Sequence, residues 1–131
     1  REARKALPET YSRADVVHNT GRAALFVAAM AAGRLELLDA ATDDRIHQRQ
    51  RASIFPPMFD IFAAARGAGA YAAWLSGAGS SIAAICPEDG ARPVAAAMQA
   101  ALDAAKMAGR ALTTRIASEG ASVTRIELVE G

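Results

Sequence analysis

Apolar positions along this chain follow one period before Ala70 and another after it. Between Tyr11 and Ala32 the residues Val16, Thr20, Ala23, Val27 and Met30 recur at helical spacing. Ser12, with Asp15 three residues on, supplies an N-cap for this helix, and Gly33 supplies its stop. A second helix is expected from Arg34 to about Arg45, with Leu35, Leu38 and Ala41 on one side. Pro56-Pro57 cannot continue a helix, so the stretch 47–57, with Arg49 and Arg51, reads as an ordered loop. Met58 to Arg66 then makes a short apolar helix that ends at Gly67 and Gly69.

Beyond Ala70 the runs shorten. Tyr71 to Leu75 and Ser81 to Cys86 flank the glycine-bearing turn Ser76-Gly77-Ala78-Gly79-Ser80, the pattern of a hairpin. Pro93 stands where a first-turn proline would, and Val94, Met98, Ala101, Leu102 and Ala105 mark a helix ending near Gly109. Leu112 to Ala117 and Val123 to Val129 are expected as two more strands around Gly120. The expected fold is α+β: a four-stranded antiparallel sheet from the runs near 71–75, 81–86, 111–117 and 123–129, with helices on one face. No repeat or linker divides the chain.

Composition narrows the picture. A chain of 131 residues makes one domain, and 52% hydrophobic residues suffice for a core. Much of that content is alanine, which buries little area per residue, so the isolated piece is expected to be modestly stable. A net charge of +1 with mixed signs offers no basic stripe for nucleic acid. The apolar run Ala23–Ala32 is too short to span a bilayer. The single cysteine, Cys86, sits in an apolar run, reads as an inert core thiol, and fits a reducing, cytoplasmic setting. No His, Cys or carboxylate cluster has metal-site spacing, and there is no catalytic-triad frame. The chain opens at Arg1, inside charged helix-like sequence, and this is read as a cut point in a longer protein.

Four blocks in register carry a family resemblance. Glu2-Ala3-Arg4-Lys5-Ala6-Leu7-Pro8 resembles T-x-x-A-R-x-x-L-P. Tyr11-Ser12-Arg13-Ala14-Asp15-Val16-Val17-His18-Asn19 follows, with Arg22 nearly one turn later. Asp44-Arg45-Ile46-His47-Gln48, continuing through Arg51 to Pro56, is similar to D-x-L-H-x-P-Y-R-x-x-L-x-P. Leu75-Ser76-Gly77-Ala78-Gly79-Ser80-Ser81 is similar to S-G-x-G-P-[ST]. Together these blocks resemble the homoserine kinase family of the GHMP kinases, over essentially the whole chain.

The resemblance implies a GHMP kinase C-terminal domain of ferredoxin-like sandwich form, covering 1–131. It also implies ATP-dependent phosphorylation of the side-chain hydroxyl of L-homoserine, with magnesium, in threonine biosynthesis. The family's serine- and glycine-rich phosphate loop belongs to an amino-terminal half and has no counterpart here. ATP and magnesium are therefore expected to bind mainly to that half, which becomes the principal partner of this segment. No catalytic residue is assigned to this segment, and a homodimer is left open.

By position, Arg4 and Arg51 match two family arginines that clamp the homoserine carboxylate. A guanidinium meets a carboxylate with two parallel donors, which lysine cannot copy. Without the motif frame, both arginines would read as solvated surface residues. Ser76, Gly77, Ala78, Gly79, Ser80 and Ser81 correspond to a loop that buttresses the phosphate loop and borders the acceptor pocket. The bland alternative is a plain hairpin turn. Ser80 replaces the family's usual proline, which removes a rigid φ and restores an N–H. His47 corresponds to a residue that orders the loop carrying Arg51, a role preferred here over general base because phosphoryl transfer depends mainly on positioning. Arg49-Gln50 replaces the family's Pro-Tyr in that loop. Asn19 and Arg22 share a helical face with Asp15 and are candidates to line the acceptor cleft, or else face solvent. His18 reads as structural.

Two other readings stand beside this one: another GHMP small-molecule kinase, or a non-catalytic α+β ligand-binding or assembly module. Arg49, Gln50 and Ser80 favour the module. The isolated 131-residue chain is expected to show no ATP-dependent phosphorylation of homoserine, since nothing in it holds the β- and γ-phosphates in line. Turnover by the purified segment in a coupled ADP assay would contradict this.

Overall fold

The computed structural model describes residues 2–123. A single turn, α1 (Glu2–Lys5), precedes the long helix α2 (Arg13–Ala31). Helix α2 starts as the sequence predicts: Ser12 is extended and its Oγ accepts the Asp15 N–H at 3.1 Å. Beyond its end Gly33 lies at φ +67, a left-handed backbone that costs a residue bearing Cβ roughly 1–2 kcal/mol.

The face that α2 buries overlaps the expected one only at Met30. Val16 and Val27 are 45% and 67% exposed, while the helix docks through Phe26, Ala29 and Met30. An alanine-rich helix offers more than one small-residue stripe, and the shape of its partners selects among them. The second helix is shorter than expected. A 3-10 turn, Leu35–Leu37, runs into α3 (Leu38–Ala41), and the Thr42 hydroxyl donates back to the Leu38 carbonyl at 3.0 Å. Leu38 and Ala41 are buried, on the side the pattern indicates.

The stretch 47–57 is not wholly a loop, because one helical turn, α4 (Gln48–Arg51), lies inside it. Helix α5 (Met58–Gly67) follows the two prolines, with Pro57 as its N-cap. The hairpin β1 (Ala72–Leu75) and β2 (Ile82–Ile85) comes next, then α6 (Ala91–Ala104). Helix α6 starts two residues before Pro93 and stops well short of Gly109.

Strands β1 and β2 pair antiparallel, with Ala72 opposite Ile85 and Leu75 opposite Ile82. Side chains alternate across the pleat. Ala73 and Leu75 pack with Met58, Ile61, Phe62 and Ala65 of α5 and Val94 of α6. Ala72 packs with Ala29 and Leu38, and Trp74 meets Phe26 edge-on at a ring separation of 5.7 Å. The hairpin is thus a middle layer with helices on both faces, where the sequence predicted helices on one.

The expected four-stranded, ferredoxin-like sheet is corrected as well: the sheet among the described residues has two strands. Segment 111–117 forms no ladder, and Leu112 and Ile116 are 71% and 77% exposed. A strand needs a partner edge for its N–H and C=O groups. Here the Ala111 N–H donates instead to the Gln99 side chain of α6 at 2.7 Å, and Arg115 pairs with Glu88. Of the expected strand 123–129 only Val123 is among the described residues.

The cluster of α5, α6 and the hairpin centres on Met58, which is fully buried. Met58→Ala is expected to lower unfolding stability by about 2–4 kcal/mol. The half-exposed neighbour Phe59 should lose clearly less on substitution by alanine. Urea titrations of the two variants check the order.

Candidate functional site

Short helix α4 sets the site, because it ends in Arg51. That side chain is only 7% exposed. Its Nε donates to the Ala3 carbonyl of α1 at 3.3 Å, and one terminal nitrogen donates to the Gly77 carbonyl in the hairpin turn at 2.9 Å. A guanidinium carries five N–H donors, so this arrangement leaves others for a ligand. None of the ion pairs among the described residues includes Arg51.

Arg51 opens onto a cleft of about 480 Å³, with Ala3, Ile54, Phe55, Leu75, Ala78, Gly79 and Ser80 as the other lining residues. The hairpin turn forms one rim of this cleft. Gly77 and Gly79 have φ of +63 and +84, and a Cβ on Gly79 would stand 2.9 Å from the Leu75 side chain. Both left-handed backbone and close approach therefore call for glycine here. The Ser76 N–H donates to the Ser81 carbonyl at 2.8 Å and closes the base of the turn.

A second cleft, of about 440 Å³, lies on the other side of Leu75. Phe26, Val27 and Trp74 give it an apolar floor, and Asn19, Arg22, Asp43 and Asp44 stand around it. Both ends of the Asn19 amide are engaged: its Nδ2 donates to Asp44 Oδ1 at 2.8 Å, and its Oδ1 accepts the Arg45 N–H at 3.0 Å.

Residues 26–104 match the family model described as GHMP kinases C terminal. The chain belongs to the GHMP kinase C-terminal family. Among curated relatives, the homoserine kinase of Desulfitobacterium hafniense is 39% identical over 93% of this chain and 41% of its own length. That of Deinococcus radiodurans is 49% identical over 62% of this chain and 26% of its own length. The crystal structure of homoserine kinase from Cytophaga hutchinsonii superposes with a TM-score of 0.74 at 28% identity, covering 79% of this chain and 33% of that one. This GHMP kinase segment thus spans less than half the length of the relatives it matches. Among its described residues no helix is long and apolar enough to cross a membrane.

Within the GHMP kinase segment, Arg51 and the turn Ser76–Ser81 come together around one cleft. Arg4 does not line that cleft; its side chain is exposed on α1, beside Ala3, whose carbonyl Arg51 holds. Asn19 and Arg22 belong to the second cleft. His47 is exposed, and its Nδ1 lies 3.1 Å from Asp44 Oδ2. His18 Nε2 lies 3.1 Å from both the carbonyl oxygen and the carboxylate of Asp43. The His18 contacts tie Asp43 to α2, while the His47 contact lies within the 43–47 segment, just ahead of α4.

Two residues matter more than their place in the motif suggests. Asp44 accepts the N–H groups of Ile46 at 2.6 Å and His47 at 2.9 Å, besides the Asn19 amide. The signal for this is the spacing Asp44 to His47, an acidic residue three positions ahead of a backbone N–H it receives, as in an N-cap. Gln48 is 6% exposed; its Oε1 accepts the Leu75 N–H at 2.8 Å and its Nε2 donates to the Thr42 carbonyl at 3.0 Å. Nothing local in the sequence announces a bond across that separation.

Burial by itself pushes the Asp44 carboxyl upward. The Asn19 amide, the His47 and Ile46 N–H groups and the nearby His47 charge outweigh it, so its pKa falls below the ordinary value of 3.8. A carboxylate with a depressed folded pKa stabilises the fold above its unfolded value and loses that contribution as pH falls through the folded value. Stability from Asp44 should therefore be complete at neutral pH and decline below about 4. Asp44→Asn should be less stable at pH 7 and show a flatter loss between pH 4 and pH 2 than the parent sequence. Urea midpoints across that range measure both slopes.

Proposed function

We propose that this chain is the acceptor-side, carboxy-terminal part of an ATP-dependent homoserine kinase. The observation that carries the reading is Arg51: a buried cation at a cleft wall, held by two carbonyl oxygens and paired with no carboxylate among the described residues. A buried charge is costly unless an opposite charge compensates it. The carboxylate of an amino-acid substrate is such a partner, and the homoserine kinases aligned with this chain act, by name, on an amino acid.

In this reading Arg51 grips the homoserine carboxylate with its remaining N–H groups. Arg4 is exposed on the turn that supplies the Ala3 carbonyl and does not line the cleft, so the clamp in this reading rests on Arg51. Apolar Ile54, Phe55 and Leu75 border the short substrate chain, and the turn Ser76–Ser81 closes the rim. With the carboxylate fixed, the side-chain hydroxyl is aimed at the γ-phosphoryl group. Positioning of this kind contributes directly to rate in phosphoryl transfer. His47 and Asn19 act at one remove, by ordering the 43–47 segment through Asp44, and Arg22 borders the neighbouring cleft.

The reading assigns ATP and magnesium to an amino-terminal half, the partner of this segment, in a cytoplasmic enzyme. Among the described residues no three His, Cys, Asp or Glu side chains are grouped to hold a metal ion.

Arg51→Lys in the full-length protein tests the reading. A point charge replaces a two-pronged donor, so kcat/KM for homoserine should fall by about ten- to a hundredfold. KM for ATP should stay within about twofold, since the nucleotide lies elsewhere. An acceptor without a carboxylate should lose little more on mutation. Unchanged homoserine kinetics, or damage to ATP binding instead, would remove Arg51 from the acceptor site.

A further inference from the structure

The Leu75 N–H lies on the edge of β1 that faces away from β2 and needs a partner there. Leu75 stands opposite Ile82, next to the Ser76–Ser81 hydrogen bond, so the alternation of an antiparallel ladder turns its N–H away from β2, where Gln48 Oε1 receives it at 2.8 Å with both groups buried. The other end of the same amide donates to the Thr42 carbonyl at 3.0 Å, so both ends of Gln48 are committed. Gln48 opens the helical turn that Arg51 closes, and Leu75 is followed by the turn whose Gly77 carbonyl accepts from Arg51 at 2.9 Å. Two struts therefore join α4 to the end of β1 and the turn after it: Gln48 to Leu75, and Arg51 to Gly77. The covalent chain completes the ring at each side.

We propose that Gln48 is a positioning residue for the acceptor site, setting where the Arg51 guanidinium stands relative to the turn Ser76–Ser81. This rests on the reading of Arg51 as the carboxylate clamp and adds to it the group that aims the clamp. Arg51 alone cannot fix its own position, because a long side chain holding two carbonyls can follow either if α4 shifts. Gln48 removes that freedom by fixing α4 to the backbone of β1 just ahead of the turn. Only a side chain with an acceptor and a donor serves, since losing the acceptor strands a buried N–H and losing the donor strands the Thr42 carbonyl. Gln48 also lines the second cleft, not the first, so it acts on the acceptor through Arg51 and not by touching it.

The test uses the full-length protein and two variants of similar volume, Gln48→Leu and Gln48→Met, with Arg51→Lys and the double variant Gln48→Leu/Arg51→Lys. Gln48→Leu is expected to raise KM for homoserine about tenfold while leaving KM for ATP within about twofold. In the Arg51→Lys background the same change should raise it less than about twofold further, because the clamp it aims is already gone. Gln48→Met, unbranched and tolerant of irregular space, should reproduce the split if the leucine variant folds poorly. A KM for homoserine unchanged by both Gln48 variants, with Arg51→Lys raising it, overturns this inference and leaves the clamp standing. Equal damage to both substrates' KM, or full additivity with Arg51→Lys, assigns Gln48 to stability alone and overturns it too. Homoserine kinetics indifferent to Arg51→Lys overturn the clamp and this inference together.

Discussion

A guanidinium that is almost wholly buried must find partners for its N–H groups, and Arg51 finds them on two segments distant in sequence, the first helical turn and the β-hairpin. That requirement organises the site. Because carbonyl oxygens receive the cation, its charge is solvated without being neutralised, and the cleft it lines keeps a positive wall. Had a carboxylate of the chain filled that role, the side chain would be a structural ion pair and its donors would be spent. The difference between a fold-holding arginine and a ligand-holding one lies in which acceptors surround it.

Everything that carries Arg51 is held by polar side chains working across the layers. Helix α4 has a single turn, too short to persist by its own hydrogen bonds. Asp44 anchors its approach by collecting the Ile46 and His47 N–H groups and the Asn19 amide, which ties the segment to α2. Gln48 fixes the turn itself to β1. The hairpin, in turn, is a two-stranded ribbon that needs packing for stability, and α5 with α6 on one face and α2 with α3 on the other provide it. Side-chain hydrogen bonds place the site, while apolar burial on both faces of the hairpin holds the frame to which they attach.

Much of the fold was legible in the residues. The Ser12 cap, the Gly33 stop, the break at Pro56-Pro57, and the hairpin around Gly77 and Gly79 are local events, decided by one residue's φ preference or one side chain's reach. So was the coming together of Arg51 and the turn Ser76–Ser81, because the motif frame names both. The face α2 buries, the turn of helix at Gln48–Arg51 and the state of 111–117 were not legible, for one shared reason. Val16 and Val27 against Phe26 and Ala29 is a choice between stripes that only a neighbouring surface makes, and Leu112 and Ile116 become strand only if an edge is there to receive them.

The sequence by itself determined helices α2, α5 and α6, the hairpin with its glycine-dependent turn, their order, and the arginine within the third motif block. Those follow from conformational preferences and periods that act within a few residues of one another. Tertiary structure alone decided that Arg51 is buried on two carbonyls, that Asn19 serves Asp44 while Arg22 faces a separate cleft, and that Gln48 reaches Leu75. Each of these is a contact between residues some 25 or more positions apart, or a partition of space by the layers, and no local preference encodes it. The physical reason is that a polar group's partner is set by which other groups are buried with it, and burial belongs to the assembled fold.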